Sequence, residues 1–169
     1  MTKRILLVDD DRSIRESLSK ILRAENYEVV LGENGQEAIE KHAAAERIDL
    51  LILDFDPDAS GVTNAWATSL ERLVGINPLL PVVIITGRSN QRGVAESAGA
   101  DALMEKPLDV PLLLQTIREL LTEPMESRLR RANNLVTSFR YVPCDNDLFR
   151  EMMLKRHDTP YPFPASKDG

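Results

Sequence analysis

Apolar residues alternate between two rhythms over the first two thirds of the chain. Short apolar runs lie at residues 5–8, 50–53 and 102–104, and strand-like stretches at 27–31, interrupted by Glu28, and 81–86, ending in Thr86. Such runs suit strands buried on both faces of a sheet. Between them the apolar positions follow a helical period. From Asp11 onward, Ile14, Leu18, Ile21 and Leu22 share one face, with Asp11 or Ser13 as the N-cap. Gly32 and Asn34-Gly35 break the chain before a second helix near 36–45, with Ala38, Ile39, His42 and Ala43 inward. A third helix is predicted from about 62 to 74 and a fourth near 90–98. The fifth starts at Asp109, with Pro111 in its first turn, where a missing N–H does no harm. Its inward stripe is Val110, Leu113, Leu114, Ile117 and Leu121. Five strands alternating with five helices predict an α/β fold, a doubly wound five-stranded parallel sheet. In that architecture functional groups collect at the carboxyl ends of the strands.

The residues just past each run are therefore the ones to weigh. Asp9-Asp10 follows the first, Asp54 the third, Thr86-Gly87 the fourth and Lys106-Pro107 the fifth. Three carboxylates so close repel one another unless a cation intervenes. Mg²⁺ prefers oxygen ligands and keeps several waters, which leaves room for a phosphoryl oxygen. A central carboxylate can attack phosphorus and form an acyl phosphate. Mg²⁺ and Lys106 would offset charge on the phosphoryl oxygens, and Thr86 would donate a hydrogen bond to one. Singly, each residue has a plainer role: Asp9 or Asp10 as a helix cap, Asp54 in a turn, Lys106 in solvent. The ordered set outweighs those readings. His42 and His157 have no partners at metal-ligand spacing, which leaves the first to helix packing and the second to solvent.

With the stretches ILLVDDDRSIRESL, LLILDFDP, PVVIITG and ALMEKPL, over about residues 3–122, the chain resembles the receiver domain of bacterial two-component response regulators. The resemblance implies the CheY-like, flavodoxin-like version of the fold and a phosphorelay role. It implies Asp54 as phosphoacceptor, Asp9 and Asp10 as Mg²⁺ ligands with the backbone carbonyl of Asp56, Thr86 as switch hydroxyl and Lys106 as the cation on the phosphoryl group. Backbone N–H groups of Asp56 and Gly87 complete the anion cradle, and Pro107 typically follows a cis bond. The implied partners are a sensor histidine kinase or phosphotransfer protein and a downstream protein target. Such a domain assists its own phosphorylation and dephosphorylation but acts as a switch rather than a metabolic enzyme.

Two departures from the family pattern stand out. Pro57 and Gly61 follow Asp54 by three and seven positions, one fewer than usual, and Asp56 and Asp58 add charge there. The expected consequence is slower phosphorylation by small donors. Leu103 also stands where many receivers carry Tyr or Phe. These departures favour one rival reading, an adaptor that works without phosphorylation. A second rival, a phosphatase of the haloacid dehalogenase type, fits Asp54-Phe55-Asp56, Thr86 and Lys106 superficially. In that family, however, the metal-binding acidic pair follows the lysine.

Charge and composition sharpen the picture. Residues 1–122 carry 13 Lys+Arg against 20 Asp+Glu, and residues 123–169 carry 8 against 7. An acidic main domain with a near-neutral tail argues against strong nucleic-acid binding. No apolar run approaches the roughly 20 residues that cross a bilayer, and the N-terminus lacks the form of a signal peptide. A single cysteine, Cys144, fits a reducing compartment, so the expected location is the cytoplasm.

Glu123-Pro124 marks the expected boundary between a receiver domain, 1–122, and a helical, Pro/aromatic C-terminal extension, 123–169. Met125, Leu129, Ala132, Val136 and Phe139 form a heptad-like stripe, suited to packing on the chain's own domain or to a homodimer contact. Residues 140–143 read as a short extended link. Asp145 caps an expected second helix bearing Leu148, Phe149, Met152 and Met153, and the 160–164 segment, alternating proline with aromatics, favours an extended conformation.

Overall fold

The computed structural model describes residues 1–44, 47–55, 65–133 and 138–144. The strands are β1 (Arg4–Val8), β2 (Glu28–Gly32), β3 (Leu50–Phe55), β4 (Val82–Thr86), β5 (Ala102–Glu105) and β6 (Arg140–Val142). The helices are α1 (Arg12–Ala24), α2 (Gly35–Ala44), α3 (Ala65–Ile76), α4 (Arg92–Ser97), α5 (Val110–Thr122) and α6 (Met125–Ala132). All strand pairs are parallel, in the order β2-β1-β3-β4-β5-β6. The doubly wound α/β fold is as expected, with one strand more than the five expected. Residues 140–142 do not merely link: they join the sheet beside β5.

Because the inner strands β1, β3, β4 and β5 are buried on both sides, two cores form. One face carries Leu6, Leu53, Ile84 and Leu103 beneath Ala38 of α2, Leu70 and Leu73 of α3 and Ala95 of α4. The other carries Ile5, Ile52, Ile85 and Met104 beneath Leu18 and Leu22 of α1 and Leu113, Ile117 and Leu120 of α5. Each fully buried Leu or Ile contributes about 1.5–3 kcal/mol relative to exposure.

Helix α1 starts where Asp11 accepts from the N–H groups of Ser13 (2.7 Å) and Ile14 (3.1 Å). Its buried face is Arg15, Leu18, Ser19 and Leu22, while Ile14 is 40% exposed. The expected stripe is thus turned by one residue, because Arg15 reaches inward to polar partners. Helix α5 is capped by Asp109 and buries Thr116 and Leu120 in addition to the expected Leu113, Ile117 and Leu121.

The extension differs most from expectation. No residue of α6 is buried, and Met125 and Leu129 face solvent. Arginines hold this helix instead. Arg128 donates to the carbonyls of Leu120 (3.0 Å) and Leu121 (3.1 Å), satisfying acceptors that the end of α5 leaves unpaired. Arg131 pairs with both Asp101 and Glu123. Phe139 and Tyr141 then pack on the first core and Val142 on the second. The start of the expected third helix at 62–64, the side chains of His42 and Ala43, Val136, the helix after Asp145, His157 and the proline-aromatic segment lie outside the described residues. No helix among the described residues is long and apolar enough to cross a membrane.

Candidate functional site

Parallel strands in register end together, and this brings distant residues side by side. Val8 pairs with Leu53, so Asp9 and Asp54, one position further, emerge at the same rim. Phe55 pairs with Thr86 and Thr86 with Glu105, which sets Lys106 just beyond. The structure gathers Asp9, Asp10, Asp54 and Lys106 at one end of the sheet, with Thr86 closing β4 beside them.

Carboxylate oxygens of Asp9, Asp10 and Asp54 all lie within 4.8 Å of one another. Asp9 is buried and Asp10 is exposed, so the trio opens to solvent on one side. The Lys106 ammonium donates to Asp54 Oδ2 at 2.5 Å, across 52 positions of sequence. Asp54 Oδ1 is buried and accepts no hydrogen bond from the described residues.

Burial is the first cause that lifts the Asp9 carboxyl, from 3.8 to about 7, followed by the close approach and the charge of the Asp54 carboxylate. The Asp11 N–H, which donates to Asp9 Oδ1 at 2.8 Å, and the charge of Lys106 pull the other way. One lysine does not fully compensate three carboxylates. An orphaned buried carboxylate oxygen within an acidic trio is the donor set that a hard divalent cation fits. Asp9, Asp10 and Asp54 are the residues that would hold it. Asp56, expected to add its carbonyl and N–H, lies outside the described residues.

Thr86 is fully buried, and its Oγ1 accepts from the Arg88 N–H at 3.1 Å. Gly87 follows in an exposed bend. The Lys106 N–H donates to the Thr86 carbonyl at 2.7 Å, tying the ends of β4 and β5 together. The Lys106–Pro107 peptide is cis.

Two residues escaped the sequence reading. Arg15 is buried and donates to the Asp9 carbonyl (2.6 Å) and to Glu33 (2.9 Å), which braces the strand end that carries the acids. Its signal was a charged residue three and seven places before the inward Leu18 and Leu22. Glu105, also buried, receives the Tyr141 hydroxyl (2.7 Å) and the Cys144 N–H (2.9 Å). Nothing local in the sequence pairs those residues.

A parallel sheet with this order and this cluster at its carboxyl rim has close structural counterparts. The CheY-like response regulator receiver domain protein of Methanospirillum hungatei JF-1 matches with a TM-score of 0.63 at 30% identity, covering 77% of this chain and 98% of that one. Response regulator protein TrrA of Thermotoga maritima, solved in complex with Mg²⁺-BeF, matches with a TM-score of 0.61 at 30% identity, covering 70% and 99%. Among curated relatives, response regulator MprA of Mycobacterium tuberculosis is 36% identical over 132 residues, or 75% of this chain and 55% of the relative. The MprA of Mycobacterium leprae is 35% identical over 147 residues, 84% and 60% respectively. The chain thus spans little more than half the length of these relatives.

The response regulator receiver domain model matches residues 5–118, and the chain belongs to that family. Its role is in two-component signalling.

Proposed function

We propose that Asp54 accepts a phosphoryl group from a histidine kinase or phosphotransfer protein, with Mg²⁺ held by Asp9, Asp10 and Asp54. The observation that carries this reading is the Asp54 carboxylate itself. One oxygen is paired to Lys106, and the other is buried, without a partner among the described residues, beside two more acids.

A free oxygen of Asp54 attacks the phosphorus of the donor. The bond from phosphorus to the donor's imidazole nitrogen breaks, and its electron pair stays on that nitrogen. Bound Mg²⁺ supplies charge compensation for the carboxylates and the incoming phosphoryl oxygens. Lys106 keeps its cation beside the acceptor, and the Thr86 hydroxyl turns from the Arg88 N–H to donate to a phosphoryl oxygen. The same groups assist the later hydrolysis of the acyl phosphate, so the domain acts as a self-resetting switch rather than a metabolic enzyme.

Residues 1–122 form the phosphoacceptor unit and 123–169 the extension in this reading, with the backbone of Asp56 and Gly87 completing the phosphoryl cradle. The signal leaves through contacts with a downstream protein in the cytoplasm, with a homodimer as a second contact in this reading. Incubation with acetyl phosphate and Mg²⁺ is expected to add one phosphoryl unit by intact mass, and Asp54→Asn to abolish it. Equal uptake by Asp54→Asn, or none by the parent, would sink the assignment.

A further inference from the structure

The Glu105 side chain is buried at 8% exposure, and both its oxygens are used by the C-terminal segment. Oε1 accepts from the Tyr141 hydroxyl and Oε2 from the Cys144 N–H. Glu105 precedes Lys106 in sequence and is the register partner of Thr86. Register partners in a parallel pair present their side chains to the same face. Thr86, Glu105 and Tyr141 therefore share the sheet face of the first core, Tyr141 being the β6 partner of Leu103, two residues before Glu105. Arg140 paired to Glu119, and Arg92 placed over the Tyr141 ring at 5.7 Å, fix the strand further.

We propose that Glu105 is a positioning residue for the phosphoryl chemistry, held by β6 in the arrangement that suits an empty Asp54. Occupation of Asp54 and the grip on β6 then oppose each other. The inference rests on Asp54 as the phosphoacceptor. A phosphoryl group draws the Thr86 hydroxyl away from the Arg88 N–H and turns the Lys106 ammonium from Asp54 Oδ2 to a phosphoryl oxygen, still beside the acceptor. Thr86 is the register partner of Glu105 and Lys106 its chain neighbour, and the bond from the Lys106 N–H to the Thr86 carbonyl makes the two strand ends move together. Moving Glu105 disturbs a buried carboxylate whose two donors both come from the tail. Coupling of this kind is reciprocal: whatever occupation takes from the tail contact, loss of the contact returns as affinity at Asp54.

Beryllofluoride with Mg²⁺, a stand-in for the phosphoryl group, gives the test on the full chain. Fluorine NMR measures its affinity, and hydrogen exchange follows the amides of 140–144. Binding is expected to speed exchange in that segment. Tyr141→Phe is expected to bind about fivefold more tightly, at the low end of usual coupling. Glu105→Gln, which cannot accept both donors, is expected to change affinity in the same direction and serves if Tyr141→Phe fails to fold. A merely structural contact would alter stability and leave beryllofluoride affinity unmoved. Uptake by the parent with affinities unchanged in both variants, or with exchange unchanged, overturns the inference while leaving the phosphoacceptor reading intact. No uptake by the parent overturns that reading, and this inference with it.

Discussion

Replacing Arg131 with Met tests how the extension is fastened. The Arg131 Nε lies on Asp101 and its Nη1 on Glu123, with side chains only 13%, 9% and 13% exposed for the arginine, the aspartate and the glutamate. Breaking a buried ion pair by removing one partner costs about 3–5 kcal/mol, because the other charge stays buried and uncompensated. Asp101 keeps the Val82 N–H at 2.7 Å, and Glu123, at the end of α5, can turn toward water. The expected loss is therefore at the low end, about 3 kcal/mol, or about 6–12 °C in Tm for a chain of this size. Burial already lifts the Asp101 carboxyl above its usual range, and the Arg131 charge opposes that. Removing Arg131 raises it further. A carboxyl whose folded pKa exceeds its unfolded one stabilises most below the unfolded value, and that contribution is lost as pH rises through the folded value. The deficit of Arg131→Met should therefore grow as pH rises above the ordinary carboxylate range, and adding Asp101→Asn should recover part of it. Urea unfolding of the parent, both single variants and the double variant at two pH values measures the coupling. A loss below about 1 kcal/mol, flat with pH and additive in the double variant, would refute the reasoning.

Asp9 gives a second pH-dependent expectation. Its folded pKa of about 7 lies above the ordinary 3.8, so its contribution is fully present in acid and lost as pH climbs through about 7. Thermal melts in chelator should show that fall, and saturating Mg²⁺ should flatten it by favouring the ionised trio; parallel profiles would count against the acids as ligands. Lys106→Ala removes a charge that holds the Asp9 carboxyl down. Carbon-13 titration of the carboxyls should then find Asp9 above about 7, and an unchanged or lower value would show that the lysine does not act on it.

The fold and most of the site were legible because parallel strands write themselves as continuous apolar runs, and their carboxyl ends are where polar groups converge. Asp9, Asp54, Thr86 and Lys106 could be picked out by that rule although up to 97 positions separate them. The rotation of α1 was not legible, since period alone cannot tell that Arg15 would turn inward to the Asp9 carbonyl while Ile14 stayed in solvent. Strand β6 was hidden for another reason. Three residues are too short to show a period of two, and their extended form depends on a partner, β5, 38 positions earlier. The heptad-like stripe does not act as one face within the chain: Phe139 packs on the first core, whereas α6 is held by the charged ends of Arg128 and Arg131 and leaves Met125 and Leu129 in solvent.

Strand β6 also decides how the sheet stops. A bare β5 would offer its unpaired backbone groups to any passing extended chain, the usual route to unwanted self-association. The covering strand has only three residues, and Pro143 follows it at once with no N–H to donate. That margin is thus too brief and too poor in donors to recruit another strand, which confines growth by strand addition on that side.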